Sequence, residues 1–310
     1  MVCLDQCASS ALFIPRKASS EALRFGEFLI EMAEQGAVVC PVPPEANAES
    51  LPLPVEKRLE LQAKLRLLAT NRDGKGLIAF KGLWQLIAEE SLALARREPP
   101  PPAIELFDWL PMDDDETAKA IVNCYRSAKV QWKGNVARMG LTTGPKRTIE
   151  EIRADVVMEH ASHVFRQINR ALDDQPLSPN DSMAIGLLER LLAMGITKNE
   201  LLELRAAVVD RTWQQIPVVT YRTILAAQLE AGYSTGIRDY DPNDEFDVSR
   251  LAVGLWAADV IITEAFMADT CRKAGTKNYS SAEVFSTRDV ADVAEFIRAR
   301  LSAQGRFDLR

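Results

Sequence analysis

The chain has 310 residues, of which 47% are hydrophobic and 26% charged, a composition typical of a globular protein. Its net charge of −7 argues against a protein that coats nucleic acids, because neutralising phosphates takes an excess of Lys and Arg. That charge does not exclude a nuclease whose acidic pocket is balanced by bound cations. The sequence has neither an apolar run of membrane-spanning length nor a signal peptide pattern, which predicts a cytoplasmic protein. Five scattered cysteines predict reduced thiols rather than a disulfide framework.

The first 98 residues alternate strand and helix signals. VCLD at 2–5 predicts a strand, a helical pattern follows at 20–35 and ends at Gly36, and the apolar run AVVCPV at 37–42 predicts a second strand. This β-α-β order favours a parallel sheet with helices on its faces. Two amphipathic helices are predicted next, at 59–68 and 83–95.

The middle of the chain has a different sequence pattern, which begins at a run of four prolines at 99–102. Nearly everything from 116 to 230 has helical period, and helices are predicted at 116–139, 149–172, 183–194, 201–214 and 221–230. Thr148 with Glu151, and Thr197 with Glu200, have the spacing of capping boxes, and Gly195 is placed to end a helix. We expect a helical insertion.

The last part of the chain returns to alternating elements. Helices are predicted at 248–256, through Cys271 and at 290–301, with strands at 258–263 and 282–285. Neither terminal part has enough strands for a complete sheet. We therefore predict an α/β fold with one central parallel sheet built from both ends of the chain. The predicted domain bounds are 1–98 and 216–310 for the α/β domain, and 99–215 for the helical insertion.

Acidic residues stand at the edges of these short apolar runs, although they are far apart in the sequence. They are Asp5, Glu49, Asp244, Asp247 and Glu264. A carboxylate just past a strand end projects into the crevice where open α/β sheets bind ligands, and carboxylates there can hold Mg²⁺ or Mn²⁺. Two simpler interpretations remain open, that Asp5 is a helix N-cap or turn residue and that Glu49 is part of a solvated helix end.

Three segments resemble a known family. NDEFDVSRLAVGLWAADVIITEAFMADTCRKAG at 243–275 resembles the C-terminal half of a PIN-like ribonuclease domain, in which an acid precedes a helix and a later strand delivers another acid. VCLDQC resembles the family's first strand, which ends in Asp and often continues with Gln. GAVVCPVPPEANAE resembles its second strand, with Glu49 eight residues after Pro41. The helical middle is not covered by the resemblance.

The resemblance implies a metal-dependent endoribonuclease that hydrolyses RNA phosphodiester bonds with Mg²⁺ or Mn²⁺. It assigns catalytic roles to Asp5, Glu49, Asp247 and Glu264, and Asn243 with Asp244 fits the N-D-x-x-D start of some members, which adds Asp244 to the metal ligands. The implied partners are RNA, single-stranded or structured, and an antitoxin or another protein.

Departures from the family pattern favour an alternative. Glu264 stands where Asp is common, and Pro43 and Pro44 stand where Ser is usual. These changes favour a catalytically impaired PIN-like scaffold that acts through protein interactions. A small-molecule hydrolase that uses the same acidic site is a third class, without a sequence feature of its own.

Three other signals carry less weight. His160 and His163 share a helix face, but further metal ligands are not evident beside them. TTGPKRT at 142–148 lacks the spacing of a phosphate loop. The segment 126–153 has seven basic and two acidic residues, a balance of +5, and with Tyr125 and Trp132 it could guide RNA or form a solvated helix face.

Overall fold

A computed structural model describes residues 1–14, 19–42, 53–70, 76–107, 148–178, 182–234, 241 and 243–304. In chain order these contain β1 (Val2–Leu4), α1 (Gln6–Phe13), α2 (Ser20–Glu34), α3 (Val55–Ala69), β2 (Leu77–Phe80), α4 (Leu83–Arg96), β3 (Ile104–Phe107), α5 (Ile149–Leu172), α6 (Ser182–Ala193), α7 (Lys198–Val209), α8 (Pro217–Ser234), α9 (Asn243–Ala257), β4 (Val260–Thr263), α10 (Ala265–Ala274), β5 (Glu283–Ser286) and α11 (Val290–Ala303). No helix in these ranges is long and apolar enough to cross a membrane.

The protein is a mixed α/β protein in which helices hold most of the described residues. The described chain divides into two compact units. The first unit contains residues of 1–80, 104–107 and 257–304, and the second contains residues of 81–103 and 148–256. The first unit therefore combines both ends of the chain, and the second is helical.

The first unit is built around a parallel sheet with the order β1, β4, β5. β1 comes from the start of the chain and pairs with β4 from its last fifth, with Leu4 opposite Ile262. This confirms the prediction of a parallel sheet assembled from both ends. β1 and β4 are buried along their whole length, as expected for strands covered on both faces by helices.

The core of the first unit lies where α1, α2, α3 and α11 cover the sheet. Leu4 and Ile262 of the sheet belong to the same buried cluster as Leu29 of α2, Leu65 of α3 and Val293 of α11. Each of these helices contributes apolar residues at helical spacing, so burying them against the strands removes them from water. This packing holds the strand ends in fixed positions.

The segment 37–42 differs from the predicted strand. Its backbone makes separate hydrogen bonds instead of a continuous ladder: the Val2 N–H donates to the Val39 carbonyl at 2.9 Å, the Cys40 N–H donates to the Leu68 carbonyl at 2.8 Å, and Val42 forms an isolated bridge with Ala79. Pro41 has no N–H to donate to a ladder, which explains the interruption. A small antiparallel sheet formed by β2 and β3 also escaped prediction, because runs of four residues carry too little periodicity.

The second unit consists of helices whose starts follow the predicted caps. Thr148 and Thr197 each accept the backbone N–H of a Glu three residues on, and that Glu accepts the cap's own N–H, so both capping boxes are confirmed. The largest differences from the predicted bounds are at α7 and α9. α7 ends at Val209 rather than at 214, and α9 begins at Asn243 rather than at 248. Asp247 therefore lies inside α9 and does not precede it.

Candidate functional site at the sheet edge

Asp5 and Glu264 lie at the same edge of the parallel sheet. Each follows directly after the last residue of its strand, β1 and β4 respectively. The two strands are paired in register, and the Asp5 N–H donates to the Ile262 carbonyl at 3.1 Å. The carboxyl ends of parallel strands are where open α/β sheets bind ligands, so this edge is the candidate site.

The Asp5 carboxylate is buried, with 4% of the residue exposed, and is hydrogen-bonded on both oxygens. Oδ1 accepts the Ala8 backbone N–H at 2.6 Å, which makes Asp5 the N-cap of α1. Oδ2 accepts a short hydrogen bond from the Thr263 hydroxyl and a second bond from the Glu264 N–H at 3.0 Å. The N-cap interpretation of Asp5 is confirmed, and the same side chain also ties β1 to β4.

A third strand contributes polar residues to this edge that the sequence had not pointed out. Ser286 ends β5 opposite Thr263, and its hydroxyl donates to Asp289 Oδ2 at 2.7 Å. The Ser286 N–H donates to the same oxygen at 3.1 Å. A Ser followed three residues later by Asp at a strand end is the signal that could have found them.

The remaining predicted acids are placed elsewhere in the chain. Asp244 and Asp247 belong to α9 of the second unit, where Asp244 is buried and accepts the Tyr233 hydroxyl at 2.6 Å. Asp247 lies 3.9 Å from a guanidinium nitrogen of Arg250. Glu49 lies outside the described residues, as do Tyr125, Trp132, Cys7's side chain and the predicted helix at 116–139.

Both histidines lie on α5, and the surroundings of His160 disfavour a charged ring. Burial, followed by the positive charge of Arg222 and by His163, lowers the pKa of His160 to about 3. Both ring nitrogens of His160 lie 3.1 to 3.3 Å from one Arg222 nitrogen. His160 is therefore a neutral packing residue at neutral pH.

The donor chemistry of the sheet edge suits a hard divalent cation, although the described ligand set is small. Carboxylate oxygens are the protein ligands that Mg²⁺ prefers, and Asp5 Oδ1 has capacity for an acceptor bond beyond the one to Ala8. Within the described residues, no group of three or more His, Cys, Asp and Glu residues could hold a metal ion.

Comparison of the chain with protein-family models, with curated proteins and with solved structures found no match.

Proposed function

We propose that the protein is a metal-dependent endoribonuclease with a PIN-like α/β domain, and that its active site is the sheet edge at Asp5 and Glu264. One observation carries the proposal. The pairing of β1 with β4 brings two carboxylates from opposite ends of the chain to the carboxyl ends of adjacent parallel strands. A nuclease site needs acids converging in this way, whereas a merely solvated surface does not.

The chain's own residues would orient the ligands. Asp5 and Glu264 would hold Mg²⁺ or Mn²⁺. Glu49, and Asp244 and Asp247 of the second unit, stay predictions from the sequence. When bound, the cation supplies phosphate neutralisation and an activated water at neutral pH. The Thr263 hydroxyl and the Ala8 N–H fix the Asp5 carboxylate, as outer hydrogen bonds do for metal ligands.

The proposal is tested by removing the charge of Glu264, whose side chain makes no capping hydrogen bond to α10. We expect the wild-type protein to cleave single-stranded RNA in Mg²⁺ or Mn²⁺, and Glu264→Gln to lower the rate by about 100-fold or more. Glu283→Gln is the matched control, because Glu283 begins β5 at the opposite edge of the sheet and pairs with Lys277. No cleavage by the wild-type protein, together with no heat of cation binding by calorimetry, would overturn the proposal.

A second candidate is a non-catalytic interaction protein that keeps the fold as a scaffold. The observation that favours it is the engagement of both Asp5 oxygens by three donors of the fold itself. A carboxylate used in this way stabilises the protein without any metal. If the protein is a scaffold, Mg²⁺ should leave the melting temperature unchanged and Glu264→Gln should have no effect on any activity. If the site binds the cation, Mg²⁺ should raise the melting temperature.

A further inference from the structure

The strand end of β5 carries a cation beside the two acids. Arg288 follows Ser286 by two residues, and Ser286 is directly opposite Thr263 in the β4 to β5 register. Neighbouring strands lie about 4.8 Å apart, and Arg288 lies in the turn directly after β5, the strand that pairs with β4. Its side chain is exposed, and the described part of the chain provides it with no ion pair.

The backbone around Arg288 is held by hydrogen bonds that occupy its amides. The Thr287 N–H donates to the Thr263 carbonyl at 2.9 Å, and the Arg288 N–H donates to the Ser286 hydroxyl at 3.2 Å. Ser286 is in turn bonded to Asp289. Because both amides are used within the protein, the group at this turn that can bind an external anion is the guanidinium.

Charge complementarity indicates which anion. The chain is acidic overall, and an edge with three acidic residues, Asp5, Glu264 and Asp289, repels a phosphate unless positive charge stands beside it. A guanidinium binds phosphate oxygens through two parallel N–H bonds, whereas a lysine provides a point charge. Arg288 has the position and the donors for this task.

We propose that Arg288 binds a phosphate of a single-stranded RNA substrate next to the carboxylates, and so sets where the strand lies on the sheet edge. This rests on the proposed nuclease function and adds to it a substrate-binding residue. The effect of losing Arg288 belongs to substrate binding, so KM should change more than kcat.

The test compares Arg288→Ala with Arg298→Ala. Both changes remove an exposed arginine from the same unit. Arg298 lies on α11, which leads away from the site, because Arg300 on the same helix donates to Asp259 at the opposite sheet edge. Binding of a labelled oligouridine is measured by fluorescence anisotropy in EDTA at several salt concentrations, and cleavage is measured in Mg²⁺ and Mn²⁺.

We expect Arg288→Ala to weaken oligouridine binding about tenfold, with a salt slope smaller by about 0.7, while Arg298→Ala stays near wild type. Arg288→Lys should fall between them, since it keeps the charge and loses the planar fork. If wild-type protein cleaves RNA and both alanine variants bind equally well, this inference is overturned and the nuclease proposal stands. If wild-type protein neither binds nor cleaves RNA, both are overturned.

Discussion

Asp5 of the first unit and Glu90 of the second are both buried acids, and their hydrogen bonding differs. Asp5 of the first unit is 4% exposed, and its carboxylate accepts three hydrogen bonds. Glu90 on α4 of the second unit is 3% exposed, yet neither of its carboxylate oxygens has a hydrogen bond of ordinary geometry within the described residues. Burial alone therefore does not tell what a carboxylate does in this protein.

The consequence appears in the protonation of Glu90. Burial raises the pKa of Glu90 to about 7, the Val218 backbone N–H opposes the shift, and Glu89 adds to it. A charged carboxylate without enough hydrogen-bond donors is unstable in the interior, so Glu90 keeps its proton. Where donors converge, as at Asp5, a buried acid instead joins separate parts of the chain.

The largest expected effect on stability comes from removing the Asp5 carboxylate, which accepts three hydrogen bonds in the first unit. Asp5→Ala leaves the buried Thr263 hydroxyl and the half-buried Glu264 N–H without their acceptor and removes the N-cap of α1. We expect the free energy of unfolding to fall by about 4 kcal/mol in urea denaturation. Asp5→Asn, which keeps one acceptor oxygen, should lose less. A fall below about 1 kcal/mol for Asp5→Ala would mean that the carboxylate does not tie the strands together.

Glu90→Gln tests the other half of the comparison and should stabilise the protein at high pH. The folded state holds the Glu90 proton up to about 7, and the unfolded state releases it near 4.5. The contribution of Glu90 to the unfolding free energy therefore falls as pH rises through this range and is flat above it. At pH 8 we expect Glu90→Gln to be more stable than wild type by roughly 2 kcal/mol, with little difference at pH 4.5.

Denaturant titrations of both proteins across this pH range measure the difference. Glu203→Gln is the control, because the Glu203 side chain is 58% exposed on α7. A wild-type to Glu90→Gln difference that does not vary with pH would show that Glu90 is ionised in the folded state.

The smallest expected effect isolates one donor to Asp5. Thr263 is fully buried, and Thr263→Val keeps its shape while removing the hydroxyl that donates to Oδ2. We expect a loss of about 1 kcal/mol in unfolding free energy, and near-complete recovery in Thr263→Ser. Equal losses in the two variants would assign the effect to packing rather than to the hydrogen bond.

The sequence predicted the architecture of the first unit well where its signals were strong. The runs VCLD and ADVIIT predict strands because both are short and mainly apolar, and ADVIIT is also rich in β-branched residues. Their pairing across the chain follows from the lack of strands in each terminal part. The helix of 149–172 matched to the residue because Thr148 and Glu151 fix its start chemically.

Other features depended on partners that a one-dimensional pattern cannot supply. The β2 and β3 pair is defined by hydrogen bonds between segments separated by a helix. The start of α9 at Asn243 placed Asp247 within a helix, although the local pattern indicated a later start. The sequence pattern does not single out Ser286, Arg288 and Asp289. Their place at the site depends on the register between β4 and β5, which the sequence does not show.

The sequence by itself determined which residues form strands and capped helices, because hydrophobic period and cap chemistry act over a few neighbouring residues. It also determined that Asp5 stands at a strand end. Only the tertiary structure decided that Asp5 is held by Thr263 and Glu264, while Glu90 is buried without comparable donors. The reason is that hydrogen bonding and desolvation depend on groups brought close by folding, more than 250 positions away for Asp5.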